Sequence, residues 1–182
     1  MTSRETILSK IQALDPQGVK HPGVFKPIQT ELGNHIEEFQ DSLAIVGAIS
    51  KVVSQNEMNH AIQELHPGKF VFSSMAVLEN GLALSDVDVL LIRGQLGVAE
   101  NGAIWISEDE LPHRVAPFIC QHLVIQIAKE NLVGTMHSAY EELGSKNPGF
   151  GLFLAGPSKT ADIEQSLVIG AHGARSLSVL IV

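Results

Sequence analysis

Two polar loops near the end of the chain carry the residue types that most readily bind an anion. The first loop follows an apolar run at residues 150–155 and contains Gly156, Pro157 and Ser158. Gly and Pro interrupt a strand, and Ser158 is a favourable helix N-cap with Thr160 and Asp162 in the turn behind it. The unpaired backbone N–H groups of such a helix start favour an anion site here.

The second loop follows Gly170 and leads into another apolar run, residues 177–182, which we expect to be a strand. It contains His172, Gly173, Ala174 and Arg175. If both loops face one cleft, Arg175 would supply a fixed positive charge and His172 a titratable group. The alternative is that the first loop is only a turn, that Asp162 is only a cap, and that Arg175 is only a solvated charge.

A third candidate is the turn Ala99-Glu100-Asn101-Gly102, which lies between the apolar runs 87–92 and 103–106. A carboxylate held in a tight turn between two buried strands is partly desolvated, which raises its pKa and suits it to act as a base or a nucleophile. We therefore name Glu100 and His172 as candidate catalytic residues and Asn101 as a candidate ligand-binding residue. The alternative is that Glu100 only accepts backbone hydrogen bonds in the turn.

The charge balance and the cysteine count exclude several function classes. The net charge is −8 and lysine and arginine form no cluster, which disfavours nucleic acid or an anionic membrane as partner. The single cysteine, Cys120, allows no disulfide within the chain, and this chain alone cannot build an all-cysteine iron–sulfur or zinc site. The eight histidines show no metal-ligand spacing, so we expect no bound metal and no cofactor held by this chain alone.

The order of apolar runs predicts an α/β fold with a central, mainly parallel sheet flanked by helices. Helical patterns begin near Ser3, Thr30, residues 54–56 and Asn131, and strand patterns lie at residues 48–53, 69–72, 87–92, 103–106, 123–127, 150–155 and 177–182. Residues 1–28 are expected to form a helix and an irregular connector within a single domain, 1–182. The first residues lack the pattern of a signal peptide and no run reaches transmembrane length, so we expect a cytoplasmic protein.

Two segments of the last loops, GPSKTADIE and GAHGAR, resemble the C-terminal signature of the lactate-utilisation (LUD) domain family of the LutC and YkgG type. The similarity covers most of the chain, residues 2–182, and is specific at these segments and around residues 99–102. Ala174 stands where the family usually has proline after His-Gly, and Asn101 stands where it usually has threonine. Neither departure removes His172 or Arg175.

The resemblance implies the fold shared by glucosamine-6-phosphate deaminase, ribose-5-phosphate isomerase and the CoA transferases (NagB/RpiA/CoA transferase-like). It also implies a role in oxidising L-lactate to pyruvate together with iron–sulfur oxidoreductase subunits, either as a protein that binds a small anion or as an accessory subunit. Ala-Glu-Asn-Gly is similar to the Ser-Glu-Asn-Gly motif of class I CoA transferases. A stand-alone enzyme that acts on acyl-CoA or a sugar phosphate through Glu100 is therefore the rival interpretation.

Overall fold

The structure, a computed structural model, describes residues 2–14, 35–73, 87–144, 149–160, 168–170 and 172–182. Its helices are α1 (Ser3–Ala13), α2 (His35–Ile45), α3 (Met58–Leu65), α4 (Ala116–Ile119) and α5 (Met136–Leu143). Its strands are β1 (Ile49–Val52), β2 (Val71–Ser73), β3 (Val89–Gly94), β4 (Leu96–Val98), β5 (Ala103–Ser107), β6 (His122–Ile127), β7 (Leu132–Val133), β8 (Gly151–Leu154) and β9 (Ser176–Ile181). The connector predicted for residues 15–28 lies outside the described residues, as does Asp162.

Five strands form the central sheet of the described chain, in the order β1-β9-β6-β3-β2. Every neighbouring pair in this sheet is parallel. Parallel neighbours require long crossover connections, which is why helical and strand patterns alternate along the sequence. The predicted α/β fold with a central parallel sheet is confirmed. The last strand, β9, lies between β1 and β6, so the loop before it opens at the middle of the sheet.

A second sheet has the order β7-β4-β5-β8 and is mostly antiparallel, because only β4 and β7 run parallel. Gln95 alone separates β3 from β4, so one nearly continuous segment contributes a strand to each sheet. A Cβ added to Gly97 of β4 would lie 2.6 Å from Leu132 Cδ2 and 2.8 Å from Ile127 Cδ1. Glycine is therefore required there for the strands to pack closely. The sequence patterns predicted neither β4 nor β7, because both strands are very short.

The two faces of the central sheet pack against different helices. Leu123 and Ile125 of β6 belong to the main core cluster, which also contains Phe39 of α2. Val124, between them, belongs to a smaller cluster with Ile62 of α3. This alternation is the two-residue period of a strand. Full burial of Phe39 contributes about 1.5–3 kcal/mol of stability, and it fixes α2 over the sheet.

Helix α2 ends in a Schellman motif that Gly47 closes. The amide of Ala48 donates to the carbonyl of Leu43 at 2.8 Å, and the amide of Gly47 donates to that of Ala44 at 3.0 Å. Gly47 has a φ of 85°, a conformation that favours glycine. The motif uses the carbonyls of Leu43 and Ala44, and the Val46 carbonyl stays open to a side-chain donor.

Two helices begin at other residues than the sequence predicted. Thr2, not Ser3, caps α1 through a capping box with Glu5. Thr135, not Asn131, caps α5, and its side chain accepts from the Ser138 amide. In both cases the N-cap is a threonine in extended backbone, which is a favourable N-cap residue, although it is not the residue predicted from sequence.

Helix α1 lies apart from the core. None of its residues is buried, and Ile7, Ile11 and Leu14 at its end are more than half exposed. Its apolar positions therefore follow the helical period without packing against the rest of the described chain. None of the described helices combines the length and the apolar character that crossing a bilayer requires.

Candidate functional site

The two polar loops singled out in the sequence touch each other at the start of β9. The amide of Ser158 donates a hydrogen bond of 2.9 Å to the carbonyl of Ala174. A Cβ added to Gly173 would lie 3.0 Å from Ser158 Cβ, so the loops are in van der Waals contact there. Strand β9 starts beside the start of its parallel neighbour β6. The contact therefore lies at the amino end of the central sheet.

The helix predicted to begin at Ser158 is not what the described residues form. Lys159 pairs with Ile169 in an antiparallel bridge, and the Thr160 amide donates to the Val168 carbonyl at 3.1 Å. Thr160 Oγ1 in turn accepts from the Val168 amide at 3.2 Å. The Thr160 amide is thus used in strand-like pairing, and residues 158–160 do not form the first turn of a helix on which the predicted anion site rested.

A cavity of about 320 Å³ opens between the two loops. Its polar side consists of Gly156, Pro157, Ser158, Lys159, His172 and Gly173. Its apolar side includes Phe118 and Pro117 of the α4 region, Phe153 of β8, Leu123 of β6 and Leu177 of β9. Five of the candidate site residues, Gly156, Pro157, Ser158, His172 and Gly173, thus share one concavity. No Asp or Glu of the described chain lines it.

Lys159 supplies the positive charge of this cavity. Its ammonium donates to the Val46 carbonyl at the end of α2, at 2.5 Å. Lysine cations are favourable at a helix C-terminus, where the carbonyls carry partial negative charge. An ammonium has three N–H donors, so two remain for another acceptor. The contact holds the Nζ atom at the C-terminal end of α2, in a residue that lines the cavity, and leaves two of its donors for an anion.

Gly156 brings the loop and α2 together. It has a φ of 78°, and a Cβ on it would lie 2.5 Å from the Val46 carbonyl oxygen. Only glycine meets both the backbone conformation and this spacing without strain. The same carbonyl binds Lys159, so the end of α2 positions both the start of the loop and its charge.

Arg175 lies beside the cavity, not among its lining residues. Its backbone amide donates to the Gln121 carbonyl at 2.9 Å, and its side chain packs against Gly170. Burial lowers the pKa of the His122 imidazole, and the positive charge of Arg175 adds to this effect. The role of Arg175 as an anion ligand stays a prediction, and the cation among the lining residues is Lys159.

A second polar group, which the sequence did not reveal, lies next to Arg175. The rings of His66 and His122 have centroids 5.0 Å apart, and His122 Nδ1 is 2.8 Å from Ser176 Oγ. His66 is 7% exposed, and its Nε2 has no hydrogen-bond partner among the described residues. Burial, followed by the neighbouring His122 and Lys69, lowers the pKa of His66. Burial also lowers the pKa of His122, with Lys69 and Arg175 adding to this effect and Asp88 opposing it.

Glu100 lies in a different concavity, which Glu38, Asp41 and Thr135 also line. Glu100 is exposed, so the prediction that its carboxylate is partly desolvated is wrong. Its Oε1 accepts a hydrogen bond of 2.7 Å from the Met136 amide, the first residue of α5. A carboxylate at this position stabilises the helix N-terminus. A nucleophilic role for Glu100 stays a prediction, and its observed contact is that of a helix cap.

The remaining residues of that turn shape the β4–β5 connection. Asn101 Oδ1 accepts from the Ala103 amide at 2.9 Å, a typical Asx turn. The Gly102 amide donates to the Val98 carbonyl at 2.9 Å, and Gly102 has a φ of 71°. A Cβ on Gly102 would lie 3.1 Å from the Leu43 amide nitrogen of α2. The turn is therefore built for packing against α2.

The described residues hold no group of three or more His, Cys, Asp and Glu side chains that could bind a metal ion. Cys120 is buried, and burial raises the pKa of its thiol to about 11. Such a thiol is protonated at neutral pH and is a poor nucleophile. Neither observation adds a reactive group to the cavity.

Sequence reasoning thus found the two loops of the cavity but overlooked its cation. Lys159 lies between two candidate site residues, Ser158 and Thr160. Its position in the loop is the feature of the sequence from which it could have been predicted. No local signal pointed to the pairing of His66 with His122. It depends on α3 ending over the start of β6, which only the tertiary structure defines.

Comparison with known proteins gives several curated relatives. Lactate utilization protein C of Oceanobacillus iheyensis is 28% identical over 110 residues, covering 57% of this chain and 47% of the relative. Lactate utilization protein C of Bacillus pumilus is 34% identical over 82 residues, covering 42% and 34%. An uncharacterized protein of Neisseria meningitidis is 25% identical over 218 residues, covering 99% and 93%. The matched region spans about half or less of the lactate utilization proteins.

The fold also has a counterpart among solved structures. The crystal structure of a DUF162 family protein from Deinococcus radiodurans superposes with a TM-score of 0.64 at 17% identity. The match covers 83% of this chain and 99% of the other. At this identity the likeness concerns the fold alone. A family model described as the LUD domain matches residues 24–182, and this chain therefore belongs to the LUD domain family.

Proposed function

We propose that this protein acts in lactate utilisation, by binding a small carboxylate in the cavity beside Lys159 and working with iron–sulfur partner subunits. The observation that carries the proposal is the meeting of the loops at residues 156–159 and 172–174 around a cavity of about 320 Å³. Its lining includes Lys159 and no Asp or Glu of the described chain. The names of the curated relatives support the link to lactate.

Each polar group has a role in binding. The ammonium of Lys159, fixed by Val46, would form a charge-assisted hydrogen bond with the carboxylate. The hydroxyl of Ser158 lies on the same loop, within the lining. His172 is exposed at the opposite loop and would accept or donate a proton at a hydroxyl or keto oxygen.

Oxidation of lactate to pyruvate releases two electrons, and this chain contains one cysteine. It cannot supply the four thiolates that an all-cysteine cluster requires. We therefore infer that a partner subunit carries the electrons. This chain would then bind the carboxylate, or would hold a partner that does.

The binding proposal is tested by thermal unfolding with L-lactate, D-lactate, pyruvate, phosphate and chloride. A ligand that binds only the folded state raises the unfolding free energy, by about 2.7 kcal/mol at a hundredfold excess over its Kd. We expect stabilisation by pyruvate or L-lactate and none by chloride at equal ionic strength. Stabilisation that is the same for all anions would contradict a specific carboxylate site.

The partner proposal needs a separate experiment. The tagged chain, expressed in its own host under anaerobic conditions, should recover proteins that carry iron–sulfur clusters, visible in their absorption spectrum. Substitutions at the exposed apolar residues of α1 and at the cavity can be compared in the same assay, to find which surface the partner contacts. Repeated recovery of no cluster-containing protein would contradict the accessory role while leaving the binding result untouched.

A further inference from the structure

In the cavity beside Lys159, the polar side chains of Lys159 and His172 are exposed and the apolar lining is largely buried. Leu177 is 1% exposed, Leu123 is 3% exposed and Ala174 is 5% exposed, and all three line the cavity. They belong to the main core cluster, so the floor of the cavity is part of the hydrophobic core. Lys159 and His172 are exposed and mark its mouth.

The wall between floor and mouth is also largely apolar. Phe118 lines it from α4 and is 42% exposed, and Phe153 lines it from β8. A ligand that fills the cavity therefore meets carbon atoms below and a cation above. A lactate molecule would satisfy the cation, but its small polar body would leave the floor in contact with water.

We propose that the cavity is built for a monocarboxylate that carries an apolar body, such as a medium-chain, branched or aromatic 2-oxo or 2-hydroxy acid. Its carboxylate binds Lys159 at the mouth, and its hydrocarbon part lies on Leu123 and Leu177. The inference rests on the proposed carboxylate function of the same site and adds the class of ligand. The volume of about 320 Å³ fits, because cavities for small organic ligands start at about 300 Å³.

The apolar floor makes a quantitative prediction. Each methylene group that leaves water contributes about a three- to fourfold gain in affinity. Affinity should therefore rise along the series pyruvate, 2-oxobutanoate, 2-oxopentanoate and 2-oxohexanoate until the cavity is full. The matching primary alcohols, which lack the carboxylate, should bind much more weakly.

Titration calorimetry with this series tests the proposal on the full chain. We compare the wild type with Phe118→Ala, which shortens the apolar wall at a partly exposed position, and with Phe70→Ala as control. Phe70 is 52% exposed and does not line the cavity. Phe118→Ala should flatten the gain per methylene, and Phe70→Ala should not change it.

Each outcome supports or overturns the proposal. A rise with chain length that Phe118→Ala leaves unchanged overturns it, because the hydrocarbon part would then lie outside this cavity. A rise with chain length that Phe118→Ala flattens supports the proposal. Equal affinity for all the oxo acids overturns it, although carboxylate binding itself would stand. Equal affinity for acids and alcohols overturns the role of Lys159 as the head-group ligand. No binding by any acid would overturn both this inference and the proposed function.

Discussion

The amide of Ser158 and the carbonyl of Ala174 are joined by a hydrogen bond of 2.9 Å, and this bond connects the two loops of the candidate site. The bond ties the polar loop after β8, in the second sheet, to the loop before β9, in the central sheet. The site therefore exists only where the two sheets meet. Substitutions that move either sheet relative to the other should affect the cavity as well as stability.

Gly156→Ala should destabilise the protein and distort the cavity. The new Cβ would lie 2.5 Å from the Val46 carbonyl oxygen, in a residue with a φ of 78°. Left-handed backbone costs about 1–2 kcal/mol for a residue with a Cβ. The clash with a backbone atom adds to this, and overpacking costs about 1–3 kcal/mol.

The matched control is Gly68→Ala. Gly68 has a φ of 71°, but a Cβ on it meets no atom within 4 Å. It should therefore show the backbone cost alone, in chemical denaturation followed by circular dichroism. Equal losses in both variants would show that the contact of Gly156 with α2 has no energetic weight.

Glu100→Gln should lower the unfolding free energy by about 0.3–1 kcal/mol, because a carboxylate is lost from the N-terminus of α5. Glu141→Gln, at an exposed position nearer the C-terminus of the same helix, should be neutral or slightly stabilising. Denaturation with urea measures both. Since Glu100 does not line the cavity beside Lys159, carboxylate binding should be unchanged.

The rival role of Glu100 has its own readout. A nucleophilic carboxylate would attack the acyl-CoA carbonyl to give a mixed anhydride and free CoA thiolate. The thiolate would then attack the glutamyl carbonyl and release the acyl group as a carboxylate, which leaves a glutamyl-CoA thioester. Hydroxylamine converts this thioester to a hydroxamate that mass spectrometry locates. We expect no adduct, because the side chain is exposed and hydrogen-bonded to Met136. An adduct at Glu100 that is absent in Glu100→Gln would reverse this assignment.

The central sheet and the loops of the site could be predicted from the sequence, because both have local sequence patterns. The apolar runs that became β3, β6 and β9 are short and contain Val and Ile beside Leu, which is typical of buried parallel strands. The same local reasoning failed at Ser158. A good N-cap followed by an acid favours a helix, but pairing of Lys159 with Ile169 gave the backbone other partners.

Features that depend on distant residues could not be predicted. The cation of the cavity is fixed by Lys159 reaching the end of α2, more than a hundred positions earlier in the chain. Glu100 was expected to be desolvated because apolar strands flank it, but the turn projects it toward the surface at the start of α5. In both cases the decisive contact joins elements whose packing no local pattern encodes.

Stability should fall on acidification because of His66 and His122. Both imidazoles have pKa values below the ordinary 6.5, so the folded state binds fewer protons than the unfolded state. The stability associated with the neutral imidazoles is fully present above pH 6.5. It is lost as the pH falls from 6.5 through their lowered pKa values. The slope is at most about 1.4 kcal/mol per pH unit for each proton. Lys69 and Arg175 act in the same direction and Asp88 opposes them.

Urea denaturation between pH 7.5 and pH 5 measures this slope. His66→Phe keeps a buried ring and removes one titrating group, so the slope should decrease. The control is His60→Gln, because the His60 side chain is 79% exposed. An unchanged slope in His66→Phe would mean that other groups cause the acid sensitivity.

Lys159→Gln and Arg175→Gln separate the two cations that could bind the carboxylate. Loss of a charge-assisted hydrogen bond costs about 1.5–3 kcal/mol, so Lys159→Gln should weaken pyruvate binding by about ten- to a hundredfold. Arg175→Gln should change it less than about twofold, because the guanidinium lies outside the lining and its amide stays bonded to Gln121. Lys129→Gln, an exposed lysine far from the cavity lining, controls for net charge. The reverse pattern in calorimetry, with Arg175→Gln alone abolishing binding, would mean that ligand binding moves the loop at residues 172–175 and that the anion site is built around the guanidinium.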